Sequence, residues 1–168
     1  MLQKKIEDAL NQQINAELWS AYLYLSMSLY FEHEGRPGFA NWFKIQFQEE
    51  QAHAIALMDY MNARDAKVIL SPIAEVPVSW NSPKDAFEAT LEHEKKVTES
   101  INNLYAMAEE AKDFATRQKL NTFVAEQVEE EESVRQIIDD LTLIGNDGTG
   151  LLQLDRELAS RTFVAPQL

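Results

Sequence analysis

Residues 39–66 read FANWFKIQFQEEQAHAIALMDYMNARDA, and the fold follows from how their apolar and polar positions alternate. Stepping by three and four gives the stripe Phe43, Gln46, Glu50, His53, Leu57 and Tyr60, the spacing of one face of an α-helix. Both ends of that stripe are apolar and its middle is not. Glu50 and His53 stand at i and i+3, so a carboxylate and an imidazole share one face where a core residue is expected.

The same interruption recurs outward in both directions. The stripe of residues 5–34 is Leu10, Ile14, Glu17, Ala21, Tyr24 and Ser28. In 83–111, Glu94 falls between Leu91 and Thr98, and in 114–144 Gln127 and Glu130 fall between Phe123 and Val134. Each polar group lies about 10 to 18 residues into a helix of roughly 30, so antiparallel packing brings them to similar depth.

Glycine and proline punctuate these segments. The five Gly and five Pro cluster at Gly35, Pro37 and Gly38, then at Pro72, Pro77 and Pro83, then at Gly145, Gly148 and Gly150, with Pro166 in the tail. Between Pro83 and Ile144 neither residue occurs, yet the stripe through Phe87, Leu91, Ile101 and Tyr105 would continue onto Lys112 and Lys119. A new stripe starts at Leu120, which puts a break near Lys112 and Asp113. Helices are expected over 5–34, 39–66, 83–111 and 114–144, with a short fifth over 150–160 outlined by Leu151, Leu154 and Leu158. The connection from Lys67 to Pro83, extended, reaches up to about 56 Å, against roughly 42 Å for a 28-residue helix. It can cross from end to end, and Val68, Ile69, Leu70, Val76 and Val78 suit a strand along the bundle. The expected fold is all-α: a four-helix bundle with one long crossover between helices 2 and 3 and a short C-terminal fifth helix, in a single domain over 1–168.

Composition narrows the chemistry. With 15 Lys and Arg against 28 Asp and Glu, the formal charge is −13. Nucleic-acid backbones and anionic membranes are repelled by such a surface, and cations are favoured. The absence of cysteine excludes disulfides, thiolate metal sites and thiol nucleophiles. No signal-peptide or membrane-spanning run opens the chain, so a cytoplasmic location is expected. No Lys or Arg occupies the central stripe positions. Several carboxylates in one dry layer cost several kcal/mol each unless protonated or neutralised by a cation. Oxygen and nitrogen donors without sulfur suit iron, manganese or zinc, and their number suffices to bridge two ions.

Glu17, Glu50-x-x-His53, Glu94 and Gln127-x-x-Glu130 on four long helices, followed by a short fifth, resemble the bacterial non-haem ferritins over essentially the whole chain. The resemblance implies a first iron site at Glu17, Glu50 and His53, and a second at Glu50, Glu94 and Glu130 with Gln127 beside it. It implies a tyrosine near the diiron centre at Tyr24, and a third iron site at Glu49, Glu126, Glu129 and Glu130. It further implies a ferroxidase that oxidises Fe2+ with O2 or H2O2 and stores ferric mineral in a hollow 24-mer. Bacterioferritins carry a second Glu-x-x-His in the fourth helix and a haem-ligating Met in the second. This chain has Gln127-x-x-Glu130 and Gln51 there, so haem is not expected. The cysteine-bearing rubrerythrins and the mini-ferritins that coat DNA fit less well. Two other readings compete: a diiron or dimanganese oxidoreductase in a smaller oligomer, and an acidic helical interaction module with protonated carboxylates. His33 and His93 are expected at the surface or at helix ends, outside the ligand set.

Overall fold

The computed structural model describes residues 2–167. Five helices account for the regular structure among them: α1 (Lys4–His33), α2 (Pro37–Ala63), α3 (Pro83–Glu110), α4 (Phe114–Ile144) and α5 (Gly148–Leu158). α1 packs on α2 and α3 on α4 as two hairpins, α1 also meets α3, and α5 lies against α2. No described helix is long and apolar enough to cross a membrane.

The bounds of α1 to α4 follow from how their ends are satisfied. α1, α2 and α3 finish in the same left-handed turn, with φ near 70° at Gly35, 54° at Asp65 and 55° at Lys112. In each, the next amide reaches back to the third-last carbonyl: Arg36 to Phe31, Ala66 to Met61 and Asp113 to Ala108, at 2.9 to 3.0 Å. This pairing satisfies the carbonyls a helix end leaves open. Only the first turn uses glycine, which is why composition alone marks the other two weakly. The expected end of α2 at 66 thus falls back to Ala63, and its start moves forward to Pro37, whose fixed φ suits a first helical position. Ser82 caps α3 by accepting from the Asp85 amide at 3.1 Å, and Asp113 caps α4 by accepting from Thr116 at 3.1 Å. Asp147 accepts from Thr149 and Gly150, so α5 begins at Gly148 and ends at Leu158, two residues before the expected bounds.

The crossover decides the direction of the second hairpin. Moving along α1, Asn11 donates to Lys67 O, Asn15 to Ser71 O, Trp19 to Glu75 O, Ser26 to Pro77 O and Tyr30 to Trp80 O. Chain 67–80 therefore runs beside α1 from its start to its end, and α3 begins where α2 begins. Phe87 accordingly packs on Phe39, Trp42 and Phe43, and α2 and α3 run parallel. The expected strand is not formed: its backbone spends its hydrogen bonds on α1 side chains rather than on a ladder. Of its apolar residues Val76 is buried, while Ile69, Leu70 and Val78 are exposed.

α5 is locked to α2 by a side chain acting as a remote cap. The buried carboxylate of Asp155 accepts from the amides of Gly38 and Phe39, both at 3.0 Å. These are first-turn donors with no partner inside their own helix. Gly38 is required by this approach, since a Cβ there would sit 1.5 Å from the Asp155 carbonyl oxygen. Asp155→Ala leaves both amides unpaired, and a loss of about 2 kcal/mol in urea unfolding is expected. An unchanged unfolding free energy would contradict this role.

Candidate metal centre

The apolar interior is divided in two. One cluster gathers Met27, Phe31, Phe39, Phe43, Phe87 and Val134; the other gathers Leu10, Ile14, Leu57, Met61, Ile101 and Phe123. In each stripe the residues between those clusters are the polar ones. Glu17, Glu50, His53, Glu94, Gln127 and Glu130 are all buried, none more than 7% exposed, so the four helices bring the interrupted stripes together at mid-depth.

Most of the carboxylates are held by neutral donors. Gln13 donates to Glu17 Oε1 at 2.8 Å, and its own carbonyl accepts from Ser100 at 2.6 Å. Gln46 donates to Glu130 Oε2 at 2.8 Å. Gln127 donates to Glu94 Oε2 at 3.1 Å, and Tyr24 donates its phenolic proton to Glu94 Oε1. These bonds fix Glu17 and Glu130 through one oxygen and Glu94 through both, without neutralising their charge. Among the described residues, four buried side-chain atoms remain without a partner: Glu17 Oε2, Glu50 Oε2, His53 Nε2 and Gln46 Oε1. His53 Nδ1 faces the first two, at 3.9 Å from Glu17 Oε2 and 3.4 Å from Glu50 Oε2.

Burial governs the electrostatics, and neighbouring carboxylates add to it. The Glu17 carboxyl is pushed well up by burial, then by the charge of Glu50. Glu50 is pushed well up by burial and by Glu94. Glu94 is raised by burial against the bonds from Tyr24 and Gln127. Glu130 is raised to about 7 by burial and by Glu94. Without a cation the layer takes up protons, because ionised carboxylates cannot share a dry space. Glu17, Glu50 and His53 bring one donor atom each within 4.8 Å of one another. With hard oxygens and one imidazole nitrogen, this set suits Fe2+, Mn2+ or Zn2+. The unpartnered oxygens are what such an ion would engage.

A second trio adjoins the first. His53, Glu126 and Glu130 also bring donor atoms within 4.8 Å. Of the other residues expected at a peripheral site, Glu129 is exposed and outside both trios. Glu49 accepts from the Arg161 guanidinium at 2.7 Å, with its carboxyl raised to about 7 by burial in spite of that partner. Gln127 turns its amide N–H toward Glu94 and Thr98.

His33 is exposed at the end of α1 as expected, but His93 is half-buried. It lies against Trp19 and Tyr24, with ring centroids at 5.1 and 6.0 Å, and hydrogen-bonds Ser20 Oγ at 2.7 Å. Burial lowers its pKa to about 4. The turn that carries it away from the carboxylate layer carries it into the seam with α1.

Sequence reasoning missed Gln13 and Ser100 as parts of the site and gave Gln46 no role. Gln13 stands one helical turn before Glu17 on the same face, a usable signal. Arg161, in the tail, offered none.

The ferritin-like domain family matches residues 7–144. The chain is 43% identical over 161 residues to a bacterial non-heme ferritin of Bacteroides fragilis, with 96% of this chain and all of that one covered. It is 40% identical over 163 residues to a bacterial non-heme ferritin of Staphylococcus epidermidis, covering 97% and 98%. Among solved structures, the open-pore ferritin of the archaeon Archaeoglobus fulgidus superposes with a TM-score of 0.95 at 49% identity, covering 96% of this chain and 100% of that one. An engineered closed form of that ferritin gives 0.96 at 49% identity, covering 98% and 100%. By sequence over nearly its full length and by fold, the chain belongs to the ferritin family.

Proposed function

We propose that this protein is an iron-storage ferritin whose buried layer is a ferroxidase centre inside each subunit. Fe2+ is its substrate. The first ion is held by Glu17, Glu50 and His53, and the second by Glu50, Glu94 and Glu130, with Glu50 shared between them. Two Fe2+ ions give up one electron each. The pair reduces O2 to H2O2 with two protons, or H2O2 to two waters. The observation that carries this reading is the set of unpartnered buried donors, Glu17 Oε2 and Glu50 Oε2, facing His53 Nδ1 in a layer with no Lys or Arg.

The chain's own residues prepare the site for that substrate. Gln13 and Gln46 each hold a carboxylate by one oxygen, which leaves the other oxygen free to turn toward an ion, while Gln127 and Tyr24 orient both oxygens of Glu94. As in metal sites generally, such outer partners fix ligand orientation. Tyr24 keeps its proton, since burial and then the charge of Glu94 raise its pKa well above the ordinary value. It thereby donates a hydrogen bond to Glu94 rather than competing for the metal. The oxidised iron passes from the centre into a cage of 24 subunits, where it is stored as ferric mineral. A formal charge of −13 per chain supports attraction of Fe2+ toward the particle.

Glu50→Ala and His53→Ala each remove a ligand together with a buried polar group, so the bundle is expected to survive. Stopped-flow oxidation of Fe2+ should lose its rapid phase by about tenfold or more, while light scattering still reports the full particle. Unchanged oxidation in both variants, or a purified particle of one or two chains that retains only a few ions after aerobic loading, would contradict the proposal.

Proton uptake gives a second test. The Glu130 carboxyl is raised from its ordinary 4.5 to about 7 in the folded chain, and Glu17, Glu50 and Glu94 shift in the same direction. The metal-free folded state therefore binds more protons than the unfolded one. The stability this contributes is present in full below about 4.5 and lost as the pH rises through about 7. Metal-free protein should thus unfold at higher urea at about pH 5 than at about pH 8, with Zn2+ restoring resistance at the higher pH. A metal-free midpoint that climbs between those pH values would contradict the buried carboxylate layer.

A further inference from the structure

At the edge of the central layer, Glu49 and Glu126 line a cavity together with the C-terminal tail. There Arg161 is held from several sides. One guanidinium nitrogen donates to Glu49 Oε2 at 2.7 Å and another to the Trp42 carbonyl at 3.3 Å. The guanidinium also lies over the Trp42 ring, 4.8 Å from its centroid. Its backbone is pinned as well, because Asn41 donates to the carbonyls of Arg161 and Leu158 at 3.0 and 3.1 Å. Past this anchor, Val164 to Gln167 face Glu49 and Glu126 across an open cavity of about 340 Å³. On the inner side, His53, Glu126 and Glu130 converge within 4.8 Å, and the buried ring of His53 has an unpartnered Nε2. A cation built into the chain thus sits on the acid that flanks Glu126 and Glu130, the donors of that trio left for a further ion once His53 Nδ1 has engaged the first.

We propose that Arg161 is a tethered cation that holds Glu49 away from Glu126 and Glu130 of that trio, so that the C-terminal tail sets how readily a third metal ion occupies the position beside these carboxylates. The proposal rests on the reading of Glu17, Glu50 and His53 as the Fe2+ centre. An ion at the trio gains Glu49 as a donor only by displacing the guanidinium, and until then Arg161 repels it. A trivalent ion competes for Glu49 more strongly than a divalent one. The geometry suits Arg rather than Lys in part, since stacking on Trp42 and a second donor to its carbonyl hold the head in place.

The test is anaerobic calorimetric titration with Fe2+ of the intact particle, comparing the unaltered protein with Arg161→Gln, Arg161→Lys and a chain ending at Ser160. Removing the charge in Arg161→Gln, or Arg161 itself by truncation, should tighten the third ion by about fivefold, the scale of one partly exposed ion pair. The two tighter ions should be unaffected, and Arg161→Lys should stay within about twofold of the unaltered protein. Adding Glu126→Ala to either tightened variant should abolish the third event. A third ion bound equally or more weakly without Arg161, beside two normal tight ions, would overturn the proposal. Absence of the two tight ions from the unaltered protein would instead overturn the reading of the centre, and this inference with it.

Discussion

Several carboxylates buried together, with no positive side chain among the described residues of their layer, is the constraint on which the structure depends. Glu17, Glu50, Glu94 and Glu130 come from four different helices into one layer, and burial drives all four toward the protonated form. A fold stabilised only by apolar packing would fill those positions with leucine. Here the apolar interior is parted into two clusters, and the layer between them is poised between two neutral states. On the proposed reading, either protons occupy it or metal ions do, and exchange of one for the other is how this chain would take up iron.

The surrounding groups make that exchange possible without collapse. An arginine inside the layer would hold the carboxylates permanently in ion pairs and exclude metal. Amides and a phenol hold one oxygen each of Glu17 and Glu130 and both of Glu94, and carry no charge. Among the described residues, Arg161 brings positive charge to the rim, where it bonds Glu49. The bundle is stapled elsewhere to tolerate such a centre: α5 caps α2 through Asp155, and Arg64 at the end of α2 makes paired hydrogen bonds to Asp113 at the start of α4, both at 3.0 Å.

Much of this was legible in the sequence because helical periodicity is a local property. The stripes through Glu17, Glu50 and Glu130 name both the buried face and the depth at which it turns polar, and the break near Lys112 shows as a lost register. The crossover was legible as a length and not as a conformation, since its hydrogen bonds depend on Asn11, Asn15, Trp19, Ser26 and Tyr30 lying one after another along a different helix. His93 escaped for a related reason: its angular distance from Glu94 was readable, but the seam receiving it belongs to α1. Arg161 lies more than a hundred positions from Glu49, in a tail with no periodicity, and only the docking of α5 brings the two together. The left-handed turns at Asp65 and Lys112 were faint because neither uses the residue that favours that conformation.

Anomalous diffraction from crystals soaked in Fe2+ without oxygen bears most directly on the central claim. The account predicts two iron peaks in the buried layer, one beside Glu17, Glu50 and His53, and one beside Glu50, Glu94 and Glu130. An iron-free layer whose carboxylates stay paired to one another through protons, in crystals that take up iron elsewhere, would contradict it.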